Sequence, residues 1–499
     1  MVLLLLSLLA LPLCFLIFIF PKLQKRGSAL YPPGPRGLPI IGHLHLLDPP
    51  NLPTQLWKLS KIYGPIMSLK LGFRSAIVVS SPRMAREIMK THDQIFCSRP
   101  DLFGIQQISY KGSDVVLSPY TEKWKELRKI MTLHLLSTKR VLSFRPVRED
   151  EVTQMINKMA QYAILSKPYN FSEELITLTN TIICRVAFGK IFDGVDKQQF
   201  QVLIEEAQAV MAAFYFSDHF PLTGWLDYLT GKCARLDKHF KHMDLFYQKL
   251  IDEHLDPNRP NPTEEDVIDI LLQLKMNPST SLDLTFDTIK ALLMDIFLGG
   301  TETIAGTSIW VMTFLIKHPI TMKKVQEEVR NLIRKKEGLI DEGDLQNTQL
   351  PYLKAVIREA FRCQPIVPLL VPREAMKTCM IDNYQIDAKT IVYVNVWAIG
   401  RDPDIWEKSE EFIPERFLDK QIDFRGQDFE LIPFGMGRRG CPGITMGLTT
   451  LELILSNLLN FFDWELPHGV KGEDIDTQVL PGIAMHKKNA LFLVPKKIL

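Results

Sequence analysis

Phe434-Gly435-Met436-Gly437-Arg438-Arg439-Gly440-Cys441-Pro442-Gly443 is the stretch on which the reading of this chain turns. It sets one cysteine among glycines, two residues after an arginine and just before the apolar helical pattern Ile444 to Leu459. The first turn of a helix leaves N–H groups unpaired and carries the positive end of the helix dipole, so an anionic sulfur is stabilised there. Cys441 is therefore read as a thiolate metal ligand rather than as a buried structural cysteine, the commoner fate of a lone Cys. Gly437 and Gly443 would let the backbone approach a flat ligand closely, and Arg439 offers a fixed cation to a carboxylate on its edge.

The spacing Phe-x-x-Gly-x-Arg-x-Cys-x-Gly is met at every fixed position, and it resembles the haem-binding loop of the cytochrome P-450 superfamily. The resemblance implies haem b with Cys441 as axial iron ligand and Phe434, Gly437, Arg439 and Gly443 around it. A thiolate on haem iron pushes electron density toward dioxygen and favours O–O cleavage. The implied fold is mainly α with a smaller β part, preceded by a single N-terminal transmembrane helix.

The totals agree with one large folded unit. With 499 residues, 46% of them hydrophobic, the chain can bury a large core, and no Gly/Ser linker divides it after residue 50. A net charge of +2 gives no footprint for nucleic acid. The seven cysteines are odd in number and scattered, without a Cys-x-x-Cys pair, which suits a reducing, cytosol-facing body. Val2 to Phe20 is an uncharged apolar run just long enough to cross a hydrocarbon core. A cleaved signal peptide is the rival reading, but no basic segment precedes the run, and Lys22, Lys25 and Arg26 follow it directly. By the positive-inside rule the downstream body is cytosolic. Residues 1–21 are thus expected to be a single-pass anchor, in the endoplasmic reticulum membrane. Residues 22–45 form a basic and proline-rich hinge through Pro32-Pro33-Gly34-Pro35, and 46–499 the catalytic domain.

Further segments resemble the same family in the expected order. Trp124 and Arg128 share one helical face, and the resemblance makes them contacts of a haem propionate; alone, such a pair is usually a surface contact. An apolar helix is expected from about Phe286 to His318, and in it Gly299-Gly300-Thr301-Glu302-Thr303 resembles the oxygen-activation motif. Small residues at 299 and 300 would leave a groove for dioxygen, and Glu302 and Thr303 would relay protons to it. The bland alternative is that Thr303 bonds a carbonyl one turn back while Glu302 is solvated. Ile304 departs from the family pattern, which has a second hydroxyl there. Glu359 and Arg362, three apart on one face, resemble the Glu-x-x-Arg motif whose partner is Arg416; the three are read as structural. Ile366 to Pro372 is expected to be a strand region lining the pocket, followed by Arg373 as another propionate contact, with Pro372 where many plant members carry His. Pro481 to Met485 reads as a hairpin tip entering the pocket. Analogy places Phe103, Val115, Ile296, Val367 and Ile483 around an apolar substrate; for the cluster Phe214-Tyr215-Phe216 it suggests a substrate-facing role, beside which packing is the commoner role for any one of them.

Phrases such as Leu350 to Ile357 and Ala484-Met-His-Lys-Lys488 are similar to the plant microsomal branch that includes aldoxime-metabolising and coumarin- or phenolic-hydroxylating enzymes. The implied activity is insertion of one atom of O2 into an apolar or aromatic small molecule of specialised metabolism, with electrons from NADPH through a cytochrome P-450 reductase. Two other readings stand beside it: a relative that isomerises or dehydrates peroxides, and a non-catalytic haem- or ligand-binding membrane protein. The retained Thr303 and Glu302 speak against the first.

Overall fold

The computed structural model describes residues 30–192, 194–260, 264–277, 284–333, 338–419, 422–425 and 427–498. The expected anchor over 1–21, and the hinge up to residue 29, lie outside them. The principal helices are α1 (Leu52–Tyr63), α2 (Glu122–Lys129), α3 (Arg145–Leu165), α4 (Phe171–Phe188), α5 (Gly194–Met211), α6 (Lys232–Leu255), α7 (Phe286–Gly300), α8 (Glu302–Lys317), α9 (Pro319–Ile333), α10 (Pro351–Cys363) and α11 (Ile444–Phe461). Local chemistry sets their starts. The Thr121 hydroxyl accepts from the Trp124 N–H at the head of α2, Thr285 does the same for Thr288 on α7, and Pro351 occupies the first turn of α10.

The strands are β1 (Ile66–Leu71), β2 (Arg74–Val79), β3 (Tyr169–Asn170), β4 (Arg373–Glu374), β5 (Cys379–Ile381), β6 (Tyr384–Ile386), β7 (Ile391–Val394), β8 (Phe462–Glu465) and β9 (Phe492–Lys497). The β-branched and aliphatic residues from Ile66 to Ser80 around Gly72 form the hairpin β1–β2, running antiparallel from Ile66 opposite Val79 to Leu71 opposite Arg74, with Gly72 at φ +62° in the turn. β7 joins β2 in parallel and pairs with β4, giving the order β1-β2-β7-β4. The architecture is mainly helical with a smaller sheet part, as expected.

Two expected elements differ. The helix expected over 286–318 breaks at Thr301, whose ψ of −67° separates α7 from α8. The hydroxyls of Thr301 and Thr303 donate back to the carbonyls of Phe297 (3.1 Å) and Gly299 (2.7 Å), and two glycines precede them. Side-chain hydroxyls competing for helix carbonyls beside glycines are a recognised cause of kinks. The segment 366–372 is a series of turns and bends rather than a strand. Pro365, Pro368 and Pro372 have no N–H to give a ladder, so pairing begins only at Arg373.

The core lies among α3, α4, α7, α8, α10 and α11. Among the described residues α11 is a helix long and apolar enough to cross a membrane, but Leu451, Leu453, Ile454, Leu455, Leu458 and Leu459 are buried in protein, so it is a core helix here.

Behind this core Glu359 and Arg362 of α10 form a fully buried bidentate pair, with two N···O distances of 2.7 Å. Arg416 Nε reaches the same carboxylate at 3.2 Å, and the Ile413 N–H donates to it at 2.8 Å. Arg362 spends its remaining donors on the carbonyls of Gly400, Ser409 and Glu411. The charges are thus compensated while stapling residues 400–416 to α10. Removing one partner strands a buried charge, at a cost of about 3–5 kcal/mol. Glu359→Ala is accordingly expected to lower the unfolding free energy read from urea titration by that amount or to abolish soluble protein, whereas Arg416→Ala costs less. Equal effects of the two would contradict the ranking.

Candidate active site

The loop before α11 folds back on itself through short backbone bonds. The Gly435 N–H donates to Ile432 O (3.0 Å), Gly440 N–H to Gly437 O (3.0 Å) and Cys441 N–H to Phe434 O (2.9 Å). Gly435 and Gly437 have φ of +63° and +69°, which side chains rarely adopt. Cys441 arrives just ahead of α11, and its Sγ accepts the Gly443 N–H at 3.3 Å. Burial pushes the Cys441 thiol up, while the Gly443 N–H and the Arg128 cation pull it down.

The sulfur opens onto a cavity of about 350 Å³ lined mostly by apolar groups. The same cavity is lined by Gly299, Gly300, Glu302 and Thr303 from the α7–α8 junction, by Phe434 and Gly443 from the loop, and by Val115, Ile296, Val367 and Ile483. Phe361 on α10 meets the Phe434 ring edge-on at 5.3 Å and keeps it in place.

Four guanidiniums also border the cavity: Arg99, Arg128, Arg373 and Arg439. Arg439 donates to the carbonyls of Cys97 (2.6 Å), Val115 (3.1 Å) and Ser118 (2.6 Å), and burial pushes it down to about 9. Arg99 donates to Val116 O at 2.9 Å and to the carbonyls of Val371 and Pro372; burial and the nearby cations hold it well below its ordinary value. Arg128 donates to Gly440 O at 2.6 Å and is lowered by burial. Arg373 is lowered by burial too, against the pull of Asp93 at 3.0 Å. Carbonyl dipoles satisfy donors without cancelling charge, so this end of the cavity carries an excess of buried cation. A thiol, an apolar slot and a cluster of cations short of anions fit a haem, whose iron the Cys441 sulfur would hold and whose propionates the arginines would hold.

Three expected contacts are placed elsewhere. The Trp124 indole N–H does not face the cavity: it donates to Val115 O at 2.8 Å, and the ring lies 4.1 Å beneath the Arg439 guanidinium. Trp124 therefore supports the arginine, because the indole has one donor and that donor is used. Gly437 does not line the cavity either; a Cβ there would overlap an Asp93 carboxylate oxygen and the Met89 carbonyl. Its smallness serves the packing of the loop onto residues 89–93. Phe103 is over a third exposed and off the cavity, with its N–H on Asp218 at 2.7 Å and its ring against Tyr215. Phe214, Tyr215 and Phe216 are also outside the cavity.

At the α7–α8 junction, a Cβ on Gly299 would meet nothing within 4 Å, whereas one on Gly300 would strike Ile183 of α4. The open space thus belongs to 299, and 300 is small for packing. Thr303 bonds the Gly299 carbonyl, as the bland reading had it, but Glu302 is not simply solvated: its Oε2 lies 2.9 Å from His486 Nε2. Sequence reasoning missed Arg99, Asp295 and His486. Nothing in the spacing of Ser98-Arg99-Pro100 marks that arginine. Asp295 was visible as an acid in an apolar helix; it accepts the Val115 N–H at 2.6 Å, and burial together with Asp114 pushes its carboxyl well above the usual range.

Comparison with known proteins agrees with this geometry. The family described as Cytochrome P450 matches residues 32–494. A 5-OH-xanthotoxin synthase of Pastinaca sativa is 48% identical over 98% of this chain and 97% of the relative, and a 6,7,8-trihydroxycoumarin synthase of the same plant is 47% identical with the same coverage. Among solved structures, a zebra fish cytochrome P450 with abiraterone superposes with a TM-score of 0.74 at 24% identity, covering 90% of this chain and 99% of that one, which speaks for the fold.

The two glycine environments give opposite expectations for alanine. Gly437→Ala combines positive φ with overlap against backbone and is expected to cost about 1–3 kcal/mol. Gly299→Ala meets open space and a helical backbone, so its effect stays within about 0.5 kcal/mol or is stabilising by that much. Thermal midpoints of the two purified variants against the parent protein test the ranking; equal midpoints would contradict it.

Proposed function

This chain belongs to the cytochrome P450 family, and from that premise we propose that it is an endoplasmic-reticulum monooxygenase that hydroxylates planar aromatic molecules of the coumarin type. The family makes it an oxidoreductase with a cysteine-ligated haem iron, using dioxygen, a small-molecule substrate and a redox partner. The finer reading adds a single-pass anchor over residues 1–21 with the catalytic domain in the cytosol, and electrons from NADPH through a cytochrome P-450 reductase. The apolar run Val2 to Phe20 and the cations that follow it support the anchor.

The observation that carries the reading is the meeting in one apolar cavity of the Cys441 sulfur with the Gly299–Thr303 segment. When bound, the haem supplies activation of dioxygen, one atom going to substrate and the other leaving as water. The protein's own groups divide the remaining work. Cys441 ligates the iron, aided by the Gly443 N–H and Arg128; Arg99, Arg128, Arg373 and Arg439 hold the propionates, with Trp124 behind Arg439. Glu302 is the acid at the cavity wall, and the Thr303 hydroxyl, bonded to Gly299 O, is positioned to exchange partners and relay a proton from it. Val115, Ile296, Val367 and Ile483 exclude water and leave a flat apolar substrate few ways to lie.

Coumarins are the favoured class because two relatives at nearly half identity are named for hydroxylated coumarin and xanthotoxin products. Thr303 and Glu302, both at the wall, favour a monooxygenase over a peroxide isomerase or dehydratase. A haem protein without turnover would consume no NADPH in step with product.

Cys441→Ser is expected to abolish the thiolate-type band in the carbon monoxide difference spectrum of the reduced protein; a surviving band would mean that another residue ligates the iron. In a panel of coumarins, furanocoumarins, phenylpropanoids, aldoximes and terpenoids, the coumarins and furanocoumarins are expected to give the tightest substrate-induced spectral shifts and NADPH-dependent hydroxylated product. Turnover confined to aldoximes or terpenoids would overturn the substrate class.

A further inference from the structure

Glu302 meets a residue from the far end of the chain. His486 belongs to the segment 479–487, closed by a bridge between Val479 and Lys487 and by the Leu480 N–H on His486 O at 2.8 Å. The Met485 N–H donates to Ile366 O at 2.7 Å and pins the segment beside α8. Ile483 and Ala484 border the cavity, while His486 stands outside that lining, behind the acid.

Three features fit the imidazole to this place. Its Nε2 lies 2.9 Å from Glu302 Oε2. A Cβ on Gly306, one turn after Glu302, would strike the Ile366 side chain at 2.6 Å and come to 3.0 Å from His486 Nδ1, so the missing side chain at 306 makes room for Ile366 and the ring together. The His486 and Glu302 side chains are 22% and 20% exposed, so the pair joins a cavity-lining carboxylate to the solvent side of the fold. Among the described residues no other charged side chain is bonded to the ring; neighbouring Lys487 is turned to Asp476 at 3.1 Å.

We propose that His486 is a positioning residue that fixes the Glu302 carboxylate and refills it with protons from solvent. Imidazolium Nε2–H breaks as Oε2–H forms, leaving neutral histidine and a neutral carboxyl. Solvent then returns a proton to the ring, and the carboxyl has one to deliver into the cavity. Histidine suits the task because its ordinary titration spans neutral pH. The inference rests on the reading of Glu302 as the acid of the site.

The test uses the full-length haem-loaded enzyme with reductase. In NADPH oxidation without added substrate, oxygen leaves as peroxide after two electrons and two protons, or as two waters after four of each, and the second outcome needs protons brought into the cavity in time. His486→Gln and Glu302→Gln are each expected to raise the peroxide share of the oxygen consumed, and the double variant no further than Glu302→Gln alone. An unchanged share in His486→Gln beside a raised one in Glu302→Gln overturns the role of His486 and leaves that of Glu302 standing; unchanged shares in both overturn both. A second readout is independent of turnover. Of the 11 histidines, followed by NMR after carbon-13 labelling of the rings, the one absent in His486→Gln is expected to change its ring chemical shift in Glu302→Gln, because the partner 2.9 Å from its Nε2 is altered. Should His486→Gln not fold, Glu302→Gln still decides: no histidine ring signal moving would mean that the pair does not exist in solution.

Discussion

Buried positive charge that the protein does not itself neutralise is the constraint on which this structure is built. Arg99, Arg128 and Arg439 donate to backbone carbonyls, and of the four arginines at the cavity only Arg373 has a carboxylate in direct contact among the bonds described. Such an arrangement is costly alone, since desolvated cations in one place repel each other. It becomes favourable once two carboxylates arrive on the edge of a ligand. The apparent defect is therefore stored affinity for an anionic ligand edge at that end of the cavity.

The same economy shapes the cysteine loop. Two glycines at positive φ let the chain double back, and the Cys441 N–H is held by Phe434 O, so the sulfur's direction is set by backbone rather than by neighbouring side chains. Asp93 takes up the space a side chain on Gly437 would need and also binds Arg373 and Arg438, which links the loop to the arginine cluster. Farther out, Glu359 and Arg362 staple residues 400–416 to α10, whose Phe361 presses on Phe434. The sulfur thus sits at the end of a chain of rigid contacts, as a ligand does whose donor must not wander.

What could be read from the residues alone follows a physical division. Cys441, the Glu359–Arg362–Arg416 network, the β1–β2 hairpin and the cavity positions at 115, 296, 367 and 483 were legible because spacing or local pattern determines them. Trp124 and Gly437 were placed in the right neighbourhood, but their partners within the protein, Val115 O and residues 89–93, were not legible, because a motif does not say which nearby acceptor an indole or which surface a glycine meets. Phe103 failed for a similar reason: an aromatic at the right distance in sequence was turned outward by a bond between its own N–H and Asp218. Arg99 could not be found at all, since its partners Val371 and Pro372 lie more than 270 residues away. The break at Thr301 was foreseeable from two glycines followed by two threonines, but helical periodicity masks it: the apolar pattern runs through the kink.

That kink also bears on Ile304, where the family pattern has a hydroxyl. In a straight helix, losing one of two adjacent hydroxyls would remove a donor from the wall. Here Thr307, one turn beyond Thr303, also borders the cavity and donates to the Thr303 carbonyl at 2.7 Å, as Thr303 does to Gly299. The hydroxyls therefore sit at 303 and 307, each tied to the carbonyl a turn before it, and Ile304 adds apolar surface between them. Each hydroxyl hydrogen is committed to a carbonyl at rest, but each oxygen still has lone pairs to accept from a proton source. The carbonyl of Gly299 lies where α7 gives way to α8, the point in this helix pair where backbone bonding is already disturbed, so a hydroxyl leaving it gives up a less entrenched bond than one in mid-helix. The substitution at 304 consequently leaves Thr303 as the hydroxyl best placed to move, and the acid next to it in sequence as the group that gives the movement a purpose.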